Sequence, residues 1–365
     1  MLRDAAVDFF SSRPQRERLR GWVGRARSVD RALWRESAEL GWTVALLPES
    51  LGGLALSLRD VAVLCEEAGR HLYAEPLVAA AILPALVLGA AEESGQAAEL
   101  AEILAGGEQL VTLAWQEAAG QFDLSGMQCT IKDGRISGRK LFVPACEEDS
   151  IALVYAMHGG EPVWVAVDMQ AQGVHRDAVA AGLGSHATLV FDNAPLRDTQ
   201  PLLAGAAAQR VFTQMLNAGR VAAAAELSGF AAGCLAQTVD YVRERQQFDR
   251  AIGSFQSVQH RCVDLYIESE LSIAAVEHAL KQYEIDPLAA CAAICAAKAR
   301  AGDAAVRTGR ESVQMHGAMG FCEEVDIGLY LRSAIYMNAW LGAPTILRRC
   351  FAKEQSQQAG VVANG

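Results

Sequence analysis

Nothing in these 365 residues reads as a metal or disulfide framework. The nine cysteines form no Cys-x-x-Cys pair and no Cys/His set at zinc spacing. An odd number of thiols without such a framework fits a reducing compartment. Cys291 and Cys295 lie four apart on a predicted helix, hence on one face, and read there as small buried apolar residues. A dense Lys/Arg block is also missing, and the formal net charge is −11. Phosphate-backbone binding needs a basic face, so nucleic acid is excluded as a main partner. No uninterrupted apolar run reaches the ~18–20 residues of a membrane helix, so no membrane partner is expected. The opening stretch, MLRDAAVDFFSSRPQRERLR, is charged and amphipathic rather than a secretory signal, and a cytoplasmic location follows as the expectation.

What is present is globular. Hydrophobic residues make up 52% and charged residues 21%, enough apolar surface for more than one core in a chain of this length. Alanine runs at Ala222–Ala225 and Ala289–Ala297 favour helix. Helical periodicity dominates to about residue 105, with Pro48, Gly52 and Gly53 marking a loop between two helices. The spacing predicts a helix over Val61–Leu72, and the nearly all-apolar Val78–Ala91 reads as a buried one. Past Gly106-Gly107 the texture changes to short strands: QLVTLAWQE, MQCTIKDGRISGRKLFV, SIALVYA, PVWVAVD and ATLVFDN. Asp133-Gly134 between alternating runs is a hairpin signal. Helical texture returns after Pro201, in segments around 206–246, 256–282, 287–316 and 327–351. The expected architecture is an α+β fold: an N-terminal helical domain (1–107), a middle antiparallel β domain (108–203) and a C-terminal four-helix bundle (204–365).

Chemistry gathers at Tyr241–His260, YVRERQQFDRAIGSFQSVQH. A helix carrying Arg245 three residues before Phe248 is expected to break around Gly253 and resume at Phe255-Gln256. A cation, an aromatic face and an amide at a helix junction suit a planar, phosphate-bearing cofactor; a plain helix pair with a charged turn is the alternative. In QMHGAMGF, Gln314 offers an amide, while Gly317 and Gly320 end a helix and allow close backbone approach. Glu66-Glu67 point about a hundred degrees apart on one helix and read as a salt-bridged or solvated face, not an acid/base pair. Trp115-Gln116-Glu117 at a strand end and Phe142 in KLFVPA are placed to meet a ring system or to pack a core.

Together these motifs resemble the acyl-CoA dehydrogenase family over nearly the whole chain. GWTVALLPESLGGLALSLRDVAVLCEEAGR is similar to its "G…PE…GG…EE.G" block, and RQQFDRAIGSFQSVQH to "R.QFG..I..FQ..QH", with Asp249 for the Gly. QMHGAMGF is similar to "Q.hGG.GF", with Ala318 for the second Gly, and FDNAPL to the "FD.V.VP" strand. The resemblance implies an FAD oxidoreductase of lipid catabolism that converts an acyl-CoA to the 2-enoyl-CoA. A carboxylate removes the α proton, hydride leaves the β carbon for the flavin, and electron-transfer flavoprotein is the acceptor. Carried over, Arg245 binds the FAD pyrophosphate, Phe248 packs on the cofactor, and Gln256 and Gln314 supply amides. Gly317 and Gly320 permit backbone approach, and Gln116, Phe142 and Pro144 stand in the wall over the flavin ring. These C-terminal elements cross a subunit interface in the family, which implies a homo- or hetero-oligomer, a dimer or tetramer.

Two departures follow from the same comparison. The family's base stands in a C-terminal "YEG" motif or on the first bundle helix before an Arg; here those positions are Leu341 and Gly219. Neither can take a proton. The "TEP..GSD" loop is present only as QEAAGQFD, and Pro144 stands where a Thr commonly donates to the flavin, although a proline has no N–H. Three readings stay open. The chain is one subunit of a heteromer like the pimeloyl-CoA or steroid side-chain types; or a homo-oligomer with a relocated carboxylate at Glu226, Glu323, Glu324 or Asp326; or a non-catalytic homologue or flavin enzyme of another type.

Overall fold

The computed structural model describes residues 2–13, 16–26, 29–123 and 126–363. Helices come first: α1 (Leu2–Ser11), α2 (Arg16–Trp22), α3 (Arg31–Glu39), α4 (Leu58–Arg70), α5 (Leu83–Ala90) and α6 (Gly95–Gly106). Strands follow: β1 (Val111–Ala114), β2 (Thr130–Lys132), β3 (Arg135–Pro144), β4 (Ile151–His158), β5 (Glu161–Asp168), β6 (Val174–Ala181), β7 (Gly184–Pro195) and β8 (Leu203–Ala204). The remainder is α7 (Gly205–Glu244), a hairpin of β9 (Gln246–Gln247) and β10 (Arg250–Ala251), then α8 (Gln256–Ile285), α9 (Cys291–His316), α10 (Ile327–Ala339) and α11 (Pro344–Ala363). Among the described residues no helix is long and apolar enough to cross a membrane.

Contacts divide the chain into two compact units. One comprises residues 24–61 and 74–219, the other 1–23, 62–73 and 220–365.

The first unit is built on a sheet ordered β6-β7-β3-β2-β4-β5-β8, with β1 beside β4. Lys132 pairs with Arg135 across Asp133-Gly134, both at positive φ (50° and 70°), as a two-residue hairpin with right-handed strand twist requires. The sheet is not antiparallel throughout: β1 and β2 both run parallel to β4. The segment between β1 and β2 is long enough to return the chain in the same direction, which a tight hairpin cannot do. From Ile151 to Ala156 every β4 residue is buried, so its sequence shows no alternation. Trp164 donates through its indole N–H to the Ala208 carbonyl at 3.3 Å, and Tyr155 and Trp115 pack against Phe212 with centroids 5.3 and 5.4 Å away. These contacts seat the first turns of α7.

The expected single helix over Val78–Ala91 opens instead with a π turn, Val78–Ile82, before α5. Pro84, at the start of α5, has no N–H to give a carbonyl one turn back, and a widened turn absorbs the mismatch.

In the second unit α4 and α7 cross with their backbones touching. A Cβ on Gly69 would lie 2.0 Å from the Glu226 carbonyl oxygen, and one on Gly229 would lie 1.9 Å from that of Glu66. Only glycine fits either position. Tyr330 on α10 adds a 2.6 Å hydrogen bond to the Arg70 carbonyl. Glu66 and Glu67 both pair with Arg3 and Arg70, so this carboxylate pair is an ion-pair network. The segment expected as one helix over 327–351 is broken after Ala339 and restarts at Pro344. The break carries Leu341 at φ 60° and Gly342 at φ 122°, left-handed conformations that no α-helix continues through.

Candidate functional site

The Tyr241–His260 segment departs from its expected form. The helix ends at Glu244, not near Gly253, and the chain turns through the β9–β10 hairpin. Phe248 and Asp249 form its tip, both left-handed at φ 54° and 60°. Phe248 is 87% exposed and edge-on to Phe255, whose other neighbour is the Arg250 guanidinium, 4.0 Å from the ring centroid. Gln256 then opens α8.

Tyr241, at the head of this segment, stacks on His316 of QMHGAMGF with centroids 4.0 Å apart and planes inclined by 19°. Two motifs 75 residues apart in sequence thus share one place in the fold. The His316 ring is held by the Ser312 carbonyl at 2.8 Å, and burial lowers its pKa, so the imidazole is a neutral spacer. Beside it, Gly317 caps α9 at φ 61°, with open space where a Cβ would stand. Gly320 has the opposite reason to be glycine: a Cβ there would lie 2.5 Å from the Val313 carbonyl oxygen.

The donor set fits a dinucleotide cofactor. The side chains of Arg245, Gln256 and Gln314 are exposed and make no hydrogen bond or ion pair among the described residues. An unpaired guanidinium, two free carboxamides, an open glycine cradle and a bare aromatic ring are the groups that hold a pyrophosphate and a planar heterocycle.

The sheet residues lie in the other unit. Phe142 sits at a β-bulge on β3 with φ 55°, 41% exposed, its ring edge-to-face with His186 at 5.7 Å. Pro144 contributes only its carbonyl, which accepts from the Thr112 hydroxyl at 2.6 Å. The Gln116 amide donates to the Ala118 carbonyl at 3.0 Å. The QEAAGQFD loop is organised by an ion pair absent from the sequence reading. Lys140 is fully buried and donates to Glu117 at 2.6 Å, while Glu117 also accepts from the Gln128 and Cys129 amides. Sequence alone shows two charges 23 positions apart with no periodic link.

Around the expected base positions the structure adds Arg220 and Lys298. Arg220 follows Gly219 on α7, is 3% exposed, and donates from Nε to the Leu341 carbonyl at 3.0 Å. Leu341 is 2% exposed, so an apolar side chain fills the place. Lys298 on α9 is closed to solvent and donates to the Met337 carbonyl at 2.8 Å. Burial lowers its pKa to about 7, and Arg220 adds to the effect.

Glu226 lies two turns beyond Gly219 on the same face of α7. Its carboxylate accepts no hydrogen bond among the described residues, and burial raises its pKa to about 8 against the pull of nearby Lys298. Glu323 and Glu324 are exposed in the turn before α10. Asp326 is buried and bound by Arg16 at 2.8 Å and Arg20 at 2.6 Å.

The fold class is an α+β arrangement of helices, a central sheet and further helices. Residues 1–106 match the family model "Acyl-CoA dehydrogenase, N-terminal domain", and residues 209–355 match "Acyl-CoA dehydrogenase, C-terminal domain". The chain belongs to the acyl-CoA dehydrogenase family, whose members are oxidoreductases with FAD as cofactor. It is 28% identical over 352 residues to the acyl-CoA dehydrogenase IpdE2 of Mycobacterium tuberculosis, covering 96% of this chain and 95% of that protein. A solved variant of the Tcur3481-Tcur3483 steroid ACAD is 27% identical with a TM-score of 0.86, covering 98% of each chain. The FAD complex of PigA shares the fold at 19% identity, with a TM-score of 0.84 over 98% of this chain and 97% of that one.

Proposed function

We propose that this chain takes part in FAD-dependent α,β-dehydrogenation of an acyl-CoA thioester as one subunit of a heteromer whose other subunit supplies the catalytic base. The observation that carries this reading is the pair Leu341–Arg220. Arg220, which follows Gly219 in the chain, donates to the Leu341 carbonyl, and neither Gly219 nor Leu341 is a carboxylate. Proton abstraction α to a thioester needs a carboxylate within hydrogen-bond reach. Likeness to the Tcur3481-Tcur3483 steroid ACAD, whose name joins two components, supports the same reading.

In this scheme Arg245 binds the cofactor pyrophosphate, Gln256 and Gln314 give hydrogen bonds, and Phe248 covers an aromatic face. Gly317 and Gly320 let backbone come close, and Gln116, Phe142 and Pro144 wall the ring and exclude water. FAD, when bound, accepts the hydride that leaves the β carbon. Electron-transfer flavoprotein is the expected acceptor. Oligomerisation is supported by α8, which buries Leu265, Ser269 and Ser272 on one side and exposes Val263, Tyr266, Ile267 and Leu271 on another. Phe321, 84% exposed beside the Gly turn, extends the uncovered apolar surface.

A second reading has one observation in its favour. The unpaired Glu226 carboxylate, at a pKa of about 8, has the basicity of a general base near neutral pH. Glu323 and Glu324 lack any comparable enclosure.

The test is to purify the chain alone and with a co-expressed longer homologue, record flavin spectra, and add acyl-CoAs with an artificial electron acceptor. The heteromer reading expects little flavin and no bleaching from the chain alone, with both gained in the complex. Full loading and rapid bleaching by the single chain would overturn it. Loss of that bleaching in Glu226→Gln would move the base to Glu226.

A further inference from the structure

Three cysteines converge behind the loop that carries Leu341. Cys291 is the first residue of α9, Cys295 lies one turn on, and Cys350 reaches the same small cluster from α11, with Leu347 packed between. The Cys291 and Cys295 sulfurs are 3.9 Å apart, and Arg220 Nη1 lies 3.9 Å from the Cys295 sulfur. Hydrophobic packing alone does not place a buried guanidinium against a thiol pair. We propose that Cys291 and Cys295 are a peroxide-sensitive dithiol, a modification site that takes a hydroperoxide and closes to an intrahelical disulfide. The proposal rests on thiol geometry and holds whichever subunit supplies the base.

Two features make Cys291 the attacking sulfur. The hydrogen bond with Cys295 and the nearby Arg220 guanidinium lower the Cys291 pKa, although burial and Glu354 oppose the shift. Cys291 is also only partly buried, whereas Cys295 is closed to solvent. Cys65, Cys129, Cys146 and Cys234 are buried thiols whose pKa burial raises, so they are poor competitors.

The chemistry balances without a metal. The Cys291 thiolate attacks the terminal oxygen of the hydroperoxide; an S–O bond forms, the O–O bond breaks, and the leaving alkoxide takes a proton to give an alcohol. Cys291 is now a sulfenic acid, oxidised by two electrons. The Cys295 sulfur then attacks Cys291; an S–S bond forms, the S–O bond breaks, and hydroxide leaves with the Cys295 proton as water. Helical residues four apart have Cα atoms about 6 Å from each other, inside the range of about 4.4–6.8 Å that disulfides span. The sulfurs must close from 3.9 Å to a bond length, and the backbone around Cys291 must shift for it, because Cβ atoms four apart on a helix stand about 5–6 Å from each other and a disulfide spans about 3.5–4.5 Å.

Both cysteines fall in one tryptic peptide, Gln282–Lys298. Titrate the purified full chain with hydrogen peroxide, block remaining thiols with iodoacetamide, and map the peptides. The expected result is that this peptide loses two hydrogens and both alkylation sites before the peptides of Cys262 and Cys322 react, and that dithiothreitol reverses it. Cys295→Ser should stop at a dimedone-reactive Cys291, while Cys350→Ser should leave the cross-link intact. The proposal is overturned if both thiols of the peptide stay alkylatable after Cys262 and Cys322 have oxidised, or if Cys295 cross-links to Cys350 instead.

Discussion

Arg220 and Leu341, 121 residues apart in sequence, are joined by a 3.0 Å hydrogen bond from a buried guanidinium to a backbone carbonyl. The bond fixes the loop between α10 and α11 through its backbone, so the side chain at 341 can change without loss of the anchor. The left-handed φ of Leu341 already carries a strain of about 1–2 kcal/mol for any residue with a Cβ. Leu341→Glu therefore adds no new backbone cost. We expect the single chain with this substitution to exchange the α hydrogens of an acyl-CoA with solvent deuterium, read by mass spectrometry, where the unsubstituted chain shows no exchange.

Arg245→Ala removes an unpaired, exposed cation and should weaken FAD binding about 10- to 100-fold, the range for a charge-assisted hydrogen bond to phosphate. Arg250→Ala, whose guanidinium is engaged 4.0 Å over the Phe255 ring, should change affinity much less. Flavin fluorescence titration of both variants separates the two arginines.

Glu117→Leu leaves the Lys140 ammonium buried without its carboxylate. Breaking a buried pair from one side costs about 3–5 kcal/mol, and urea denaturation should show a loss of that order. The double substitution Glu117→Leu with Lys140→Met should recover most of it, because no uncompensated charge remains.

Glu226 and Lys298 set opposing slopes of stability with pH. The folded-state pKa of Glu226 lies near 8, above its ordinary 4.5, so the folded state holds more protons and stability falls as pH rises from about 4.5 to 8. Lys298 lies near 7, below its ordinary 10.5, so the unfolded state holds more protons and stability rises from about pH 7 to 10.5. Wild-type stability should pass through a minimum near pH 7–8. Glu226→Gln should abolish the falling limb, and at pH 8 it should exceed wild type by at least about 1 kcal/mol in urea denaturation.

The sequence carried the helix–sheet–helix order because long apolar periodicities and the Asp133-Gly134 turn are local signals. The segments proposed to hold the cofactor were also legible in the sequence, since Arg245, Gln256, Gln314 and Gly317 stand in contiguous motifs. Three of its errors share one cause. The hairpin at 246–251, the break at 340–343 and the π turn at 78–82 each depend on a φ value or a missing N–H at one or two residues, which a window of hydropathy averages away. Lys298 was invisible for a different reason: a lysine in an alanine-rich helix reads as a solvated face unless the carbonyls at the end of α10 are known to receive it.

The contact of Gly69 and Gly229 with facing carbonyls has a consequence for descent. At that crossing one methyl group is too large on either helix, and no change on the opposite strand of backbone can make room for it. Covariation, the usual record of two surfaces adapting to each other, should therefore be absent there: both positions should stay frozen while the side chains on either side drift.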